Sequence, residues 1–378
     1  MLVFGYEVYF YLRYLWIRSQ DGASAYRTVG DLQDASLQDK PGVSVVICAH
    51  NEAYNLQAYI QSLLTQDYPE YEVIIVNDGS EDATQLVIEH YALLDSRVRT
   101  TYVPVGARVG STKKLGLTLA AKAAKYDYLL LTDADCRPES KSWISEMMQG
   151  FRVQDASLQD GASAYRKEVV LGYGAYYVED TMLNRVIQYE TLFNGLHYLG
   201  AAVAGKPYMG VGRNLAYRKD TFFEHGGFSD MMNDRAGDDD LFVNKVATGA
   251  NTAVVCSRES LTWSIPKTRW KEWWQQKQRH LSVSHSYSAR SRRHMVKEPL
   301  ARGLFYALEI VLFVVGSPLA MCAAYVMLLL RLGMQLWVLN RGARMFGQPR
   351  MGLEIVCYDI LLPPITLAAM TGKWKGSW

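Results

Sequence analysis

From Val43 onward the chain alternates short apolar runs with amphipathic stretches, and this alternation limits the fold more than any other feature of the sequence. Residues 43–48 (VSVVIC), 71–76 (YEVIIV), 97–103 (RVRTTYV) and 128–131 (YLLL) read as strands. Between them, 52–64, 82–94 and 113–125 carry apolar residues at helical spacing. Strands separated by helices of this length imply right-handed crossovers and a doubly wound, mostly parallel sheet of the α/β class. Near-continuous apolar runs fit strands buried on both faces.

Polar clusters stand at the carboxyl ends of successive strands: Ala49-His50-Asn51-Glu52, Asn77-Asp78-Gly79-Ser80, and Thr132-Asp133-Ala134-Asp135. Open α/β sheets bind ligands in the crevice outside the carboxyl ends of their strands. Turn chemistry explains one such cluster; three at one edge are better explained by a shared ligand. Asp133 and Asp135, spaced i, i+2 at the end of an apolar run, are costly there unless a cation or polar ligand compensates them. Hard divalent ions take oxygen ligands, and Mg²⁺ is commonly held by one or two carboxylates plus substrate phosphates. The competing reading, an Asp-rich turn capping a helix, weighs equally on this motif alone. Lys113 and Lys114 open a helix after a Gly-containing turn, where ammonium groups and the helix N-terminus both favour phosphate. Glu52 and Asp78 can accept hydrogen bonds from a base or ribose. No GxxxxGK[ST] or GxGxxG motif occurs, so neither a P-loop kinase nor a dinucleotide dehydrogenase is supported.

Composition narrows the partners. A net charge of +2 without a basic stripe gives no footing for nucleic acid. Five cysteines without CxxC pairs disfavour a zinc site or a disulfide scaffold. Residues 2–17 are apolar and aromatic but short for a span, and read as an N-terminal membrane helix or an amphipathic helix lying on a surface. Arg290, Arg292, Arg293 and Lys297 precede an apolar stretch at 304–330, which places them on the cytoplasmic side. Gly316-Ser317-Pro318 interrupts that stretch, so a kinked pass or a hairpin fits, and the arginines that follow argue for the hairpin. Residues 353–370 are apolar but carry Glu354 and Asp359, which are expensive in a bilayer unless they face a bundle interior. Two words recur, DGASAYR at 21–27 and 160–166 and QDASLQD at 33–39 and 154–160; they touch none of the motifs.

In order along the chain, VSVVICAHNE, IIVNDGSEDAT, STKKLGLTLAAKAAKYDYLLLTDADCRPES, GVGRNLAYRK, GDDDLF and QKQRH resemble the motifs of glycosyltransferase family 2 enzymes with a GT-A fold, above all membrane-bound bacterial polysaccharide-synthase-like members. The resemblance covers residues 40–285. It implies transfer of a sugar from a UDP- or GDP-linked donor to an acceptor hydroxyl on a glycan or a lipid-linked acceptor, with inversion and with Mg²⁺ or Mn²⁺. It places Ala49, His50, Glu52 and Asp78 at the base and ribose, Lys113 or Lys114 at the nucleotide or its diphosphate, and Asp133 and Asp135 at the metal. Gly212, Arg213 and Asn214 would approach acceptor and donor sugar.

The family's catalytic base falls in the 238–240 aspartate triplet, on Asp238 or Asp239 depending on register, with Asp238 narrowly favoured. Gln276 and Arg279 match its QxxRW motif, with Arg279 suited to the leaving diphosphate. His280 stands where that motif has Trp, which puts processive synthesis in doubt. The expected organisation is an N-terminal membrane helix (1–18), a GT-A domain (41–285) and C-terminal membrane helices (300–370). It sits in the bacterial inner membrane among lipids, multi-pass, with the catalytic domain cytoplasmic. The alternative is a non-catalytic membrane subunit that binds nucleotide sugar.

Overall fold

The computed structural model describes residues 1–15, 17, 40–104, 106–107, 109–152 and 166–371. Apart from Arg166, both copies of the recurring words lie outside the described residues. The chain divides into two compact units. One is Arg18–Tyr177 with Gly205–Pro266; the other is Met1–Ile17, Val178–Ala204 and Lys267–Trp378. The stretch expected as one domain over 41–285 therefore contributes to both, with 178–204 and 267–285 in the second.

The chain opens in the second, helical unit with α1 (Leu2–Phe10), continued by a π-helical turn Tyr11–Leu15. The α/β unit then begins with β1 (Val43–Ala49), α2 (Ala53–Leu64), β2 (Tyr71–Asn77), α3 (Thr84–Leu94), β3 (Val98–Tyr102), α4 (Thr112–Ala123) and β4 (Tyr128–Leu131). β1 and β2 are buried along almost their whole length, as strands covered on both faces must be. On α2, Leu56, Ile60, Leu63 and Leu64 form the apolar stripe that packs on the sheet. After β4 come β5 (Cys136–Pro138), α5 (Trp143–Gln149), β6 (Val169–Leu171) and β7 (Gly174–Tyr176).

The continuous strand expected over 168–177 is thus two strands in two sheets. Gly172 lies at the break, and a Cβ there would sit 2.5 Å from Asn214 Nδ2. β8 (Leu215–Arg218), α7 (Lys219–Glu224), α8 (Asp240–Val246), β9 (Thr252–Val254) and β10 (Thr262–Ser264) complete the unit. α6 (Met182–Val203) lies between β7 and β8 in sequence but belongs to the helical unit.

The large sheet has the order β3-β2-β1-β4-β8-β6-β9, and β5-β10-β7 form a smaller one. β3, β2, β1 and β4 run parallel, β8 is antiparallel to both its neighbours, and β9 is parallel to β6. The expected mixed α/β architecture with a mostly parallel sheet is what forms.

The helical unit adds α9 (Trp270–Leu281), α10 (Ala289–Val315), α11 (Pro318–Met345) and α12 (Glu354–Thr371) to α1 and α6. The aromatic stripe of α6 (Tyr189, Phe193, His197, Tyr198) is buried and serves packing. α10 and α11 are separate helices that pack on one another across Gly316-Ser317, which matches the hairpin rather than a kinked single helix. Among the described residues, α11 and α12 are long and apolar enough to cross a membrane. The N-terminal stretch falls outside that pair: α1 is 9 residues long, and Glu7, Phe10, Tyr11, Tyr14 and Leu15 are buried within the unit.

A chain of buried ions joins four of these helices. Arg331 of α11 binds Glu7 Oε2 at 3.0 Å and Asp359 Oδ2 at 2.6 Å. Arg302 of α10 binds Asp359 Oδ1 at 3.1 Å and Glu298 Oε2 at 2.5 Å. Asp359 is fully buried, so its place in α12 is tolerated through two guanidinium partners and the Tyr306 hydroxyl.

Candidate functional site

The carboxyl ends of β2, β1 and β4 lie side by side because these strands are adjacent and parallel, and the polar clusters of the sequence come together there. Asp78 follows β2 and is buried; its backbone N–H donates to Ala49 O at 2.8 Å, tying the ends of β2 and β1. His50 Nδ1 donates to the Asp78 carbonyl at 2.6 Å, which leaves Nε2 to accept from Asn51 Nδ2. Asn51 has a φ of 56°, a left-handed conformation that Asn tolerates better than most residues. From that position its side-chain oxygen accepts the N–H groups of Glu81 and Asp82. Thr112 Oγ1, at the start of α4, donates to Asp78 Oδ2 at 2.8 Å. Burial raises the Asp78 pKa, against the Thr112 hydrogen bond and the charges of His50 and Lys113. Glu52 accepts from Asn55 Nδ2 at 2.5 Å. Ala49 is fully buried with its carbonyl occupied, so it supports the site from below and offers a ligand no surface.

The two lysines of α4 part company. Lys113 reaches Asp133 Oδ1 at 3.2 Å and Asp238 Oδ2 at 3.0 Å, joining the end of β4 to the aspartate triplet. Burial works against its charge, but Asp133, Asp238 and Asp239 outweigh that and hold its pKa well above the usual lysine range. Lys113, Asp133 and Asp238 line a small pocket together with Cys48, Thr132 and Gly212. Lys114 points the other way. It is fully buried, and its ammonium donates to the carbonyls of Met231, Asp234 and Ala236 at 2.7–2.9 Å. All three donors are used, so Lys114 cannot serve a phosphate; it clamps the segment that leads to Asp238.

The triplet also divides. Asp239 caps α8: Oδ1 accepts from the Asp240 N–H at 2.8 Å and Oδ2 from the Gly212 N–H at 2.6 Å. Burial and the neighbouring Asp238 raise its pKa. Asp240 accepts at Oδ1 from the Leu241 N–H. Asp238 is buried, and its ion pair with Lys113 turns it to the pocket.

Past β4, the ligand atoms of Asp133, Asp135 and Cys136 lie within 4.8 Å of one another. Cys136 is buried, its Sγ lies 2.9 Å from Ser264 Oγ, and burial pushes its pKa well up. A neutral thiol is a poor ligand for a hard ion, so the donor set is the two carboxylates, which suits Mg²⁺ or Mn²⁺ completed by phosphate and water oxygens. Arg213 lies over the Tyr176 ring, 4.1 Å from its centroid, and donates to Ala175 O and Ser264 Oγ.

Asn214, in contrast, is fully buried. Its amide donates to Tyr173 O and Ser260 O and its oxygen accepts from Trp143 Nε1, so the expected substrate contact is a core strut. The Gly212 N–H is spent on Asp239, which leaves Gly212 to line the pocket. Gln276, Arg279 and His280 fall on α9 in the helical unit, where Arg279 Nη2 lies 3.3 Å from His280 Nε2. Thr112 and Ser264 escaped the sequence reading; the Ser111 cap, whose Oγ accepts from Lys114 N, was the available signal for where α4 begins.

Comparison with known proteins matches this architecture. Residues 44–206 fit the family model Glycosyl transferase family 2. The chain is 25% identical over 251 residues to the "Probable glycosyltransferase YdaM" of Bacillus subtilis, covering 65% of this chain and 55% of that protein. It is 34% identical over 98 residues to the poly-beta-1,6-N-acetyl-D-glucosamine synthase of Staphylococcus epidermidis, covering 26% of this chain and 23% of that one. The chain thus spans about half or less of the length of these relatives. Among solved structures, the mannosyltransferase PcManGT from Pyrobaculum calidifontis, in complex with GDP-Man and Mn²⁺, superposes with a TM-score of 0.56 at 18% identity over 91% of this chain and 95% of that one. That likeness is one of fold. On this scaffold, residues 44–206 therefore form a domain that matches glycosyltransferase family 2.

Proposed function

We propose that the chain is a membrane-associated inverting glycosyltransferase that moves a sugar from a UDP- or GDP-linked donor to a hydroxyl of a glycan or lipid-linked acceptor. The observation that carries this reading is the Lys113 bridge between Asp133 and Asp238, which puts a candidate diphosphate–metal carboxylate and a candidate base on opposite sides of one ammonium. In this reading His50, Glu52 and Asp78 receive the base and ribose, and Lys113 meets the diphosphate. Asp133 and Asp135 would hold a divalent ion, which supplies charge neutralisation for the departing diphosphate.

Asp238 takes the proton of the acceptor hydroxyl as that oxygen bonds to the anomeric carbon. The bond from that carbon to the phosphate oxygen breaks, and its electron pair leaves with the diphosphate. Asp238 suits this role better than Asp239, whose two oxygens are committed to backbone N–H groups. Arg213 on its Tyr176 ring is a candidate contact for the donor sugar, and Arg279 for the leaving diphosphate, with Gln276 and His280 beside it. The exposed apolar side chains of α11 and α12 support attachment to a lipid bilayer, and the basic run at 290–297 supports a cytoplasmic catalytic unit.

The test uses the full chain in detergent with a panel of UDP- and GDP-sugars and Mg²⁺ or Mn²⁺. Asp238→Asn should lower transfer about 10²- to 10⁴-fold with nucleotide binding retained. Asp135→Ala should abolish metal-dependent nucleotide binding. Transfer that survives both substitutions defeats the assignment, and nucleotide binding without turnover of any donor selects the non-catalytic subunit instead.

A further inference from the structure

The small sheet has two faces, and only one is turned to the site just described. On that face Cys136, Ser264 and Tyr176 support Arg213. On the other, the register sets Trp263 opposite Arg137 on one side and Ala175 on the other. Tyr177 follows Ala175 by two residues and shares its face. Its ring stacks on Trp263 with centroids 5.8 Å apart and planes 24° from parallel. Ala175, opposite Trp263, adds only a methyl group, and the stacked pair stands over this face with neither ring fully buried.

The rim of that surface is polar. Trp263 Nε1 donates to Glu139 Oε2 at 2.7 Å, and Arg137 is close enough to the Tyr177 phenol to oppose the rise in pKa that burial causes. Arg137 is exposed, and neither Trp263 nor Tyr177 is buried. α2 packs against β5 and brings Tyr59 to the same surface. Burial raises the Tyr59 phenol's pKa, Tyr54 and Asp135 add to that, and Arg137 opposes it, so Tyr59 is near both Asp135 and Arg137. The surface is therefore continuous with Asp135: Arg137 is two residues further along β5.

We propose that Trp263 and Tyr177, rimmed by Arg137 and Glu139, form a stacking subsite for a pyranose ring of a glycan acceptor. The word acceptor rests on the function proposed above; the sugar class rests on the surface itself. A pyranose with equatorial substituents presents a flat C–H face that packs on an aromatic ring, while its hydroxyls point outward in the ring plane. One cation and one carboxylate at the edge of the two rings supply a donor and an acceptor for those hydroxyls. The base and ribose candidates stand at the ends of β2 and β1 in the large sheet, whereas this surface belongs to the small sheet.

The experiment measures binding of chitotetraose, a β-linked and equatorially substituted tetrasaccharide, to the full chain in detergent by saturation-transfer NMR. Binding of UDP and GDP with Mn²⁺ is measured separately. Trp263→Ala should weaken tetrasaccharide binding by about tenfold or more, as loss of one aromatic stacking partner does. Trp263→Phe should keep it within about threefold, and both variants should bind nucleotide as wild type does. Tyr177→Leu should weaken the saccharide in the same way and replaces Trp263→Ala if that variant does not show a wild-type melt.

Equal saccharide binding in wild type and both stacking variants overturns the proposal. So does saccharide that fails to bind wild type, or a stacking variant that loses nucleotide instead. Absence of nucleotide binding in wild type, with saccharide binding that depends on Trp263, sinks the transferase reading and leaves the subsite standing.

Discussion

Two neighbouring lysines with opposite duties make the sharpest case at the scale of single residues. Lys113 and Lys114 are indistinguishable as a sequence pair at the head of α4, yet successive helical residues point about 100° apart, so only one could face the strand ends. Lys113→Met should weaken nucleoside-diphosphate binding about tenfold or more with little loss in thermal stability, since it frees Asp133 and Asp238 at a partly open pocket. Lys114→Met should do the reverse. It strands the carbonyls of Met231, Asp234 and Ala236, costs about 2–3 kcal/mol, and lowers transfer only as far as the 231–236 segment loosens. Paired melts and nucleotide titrations separate the two; a Lys114 variant with unchanged melt and lost nucleotide binding would reverse the roles. Asp238 and Asp239 divide in the same manner, and here too the deciding fact, which carboxylate caps α8, is local geometry that no register of the motif supplies.

At the scale of elements, the strands were legible where burial on both faces wrote itself as unbroken apolar runs: β1, β2 and β4 fall within a residue of where the sequence puts them. The run at 168–177 misled because both halves are apolar. What separates β6 from β7 is the space that Asn214 needs, and Asn214 is 42 residues further along. Gly172→Ala should therefore destabilise the α/β unit by about 1–3 kcal/mol, because the added carbon collides with the Asn214 amide and disturbs its bonds to Tyr173, Ser260 and Trp143. A melt unchanged from wild type would mean that Asn214 can move freely. The strand-end clusters come together at the carboxyl ends of adjacent parallel strands, as the sequence pattern implies. They could not reveal which polar side chains, such as Asn214, spend every hydrogen bond inside the protein.

On the scale of the whole molecule, the helical unit was the least legible part. Its apolar runs marked α11 and α12, but the meaning of Glu7, Glu298, Arg302, Arg331 and Asp359 depends on partners from 4 to 324 residues apart. Read singly, each is an expensive charge in an apolar helix; together they are one connected set. Arg331→Leu leaves Glu7 and Asp359 buried without it, and should lower the stability of the helical unit by about 3–5 kcal/mol, read as a fall in melting temperature in detergent. Arg331→Lys should recover only part of this, since an ammonium lacks the fork that grips two carboxylates. The Glu7–Arg331 bond also imposes a timetable on synthesis. The two partners are 324 residues apart, so at about 5–20 residues per second the ribosome needs on the order of tens of seconds to deliver the second after the first. Throughout that interval α1 lacks its guanidinium, and whatever shelters the nascent N-terminus must tolerate a naked carboxylate until α11 emerges.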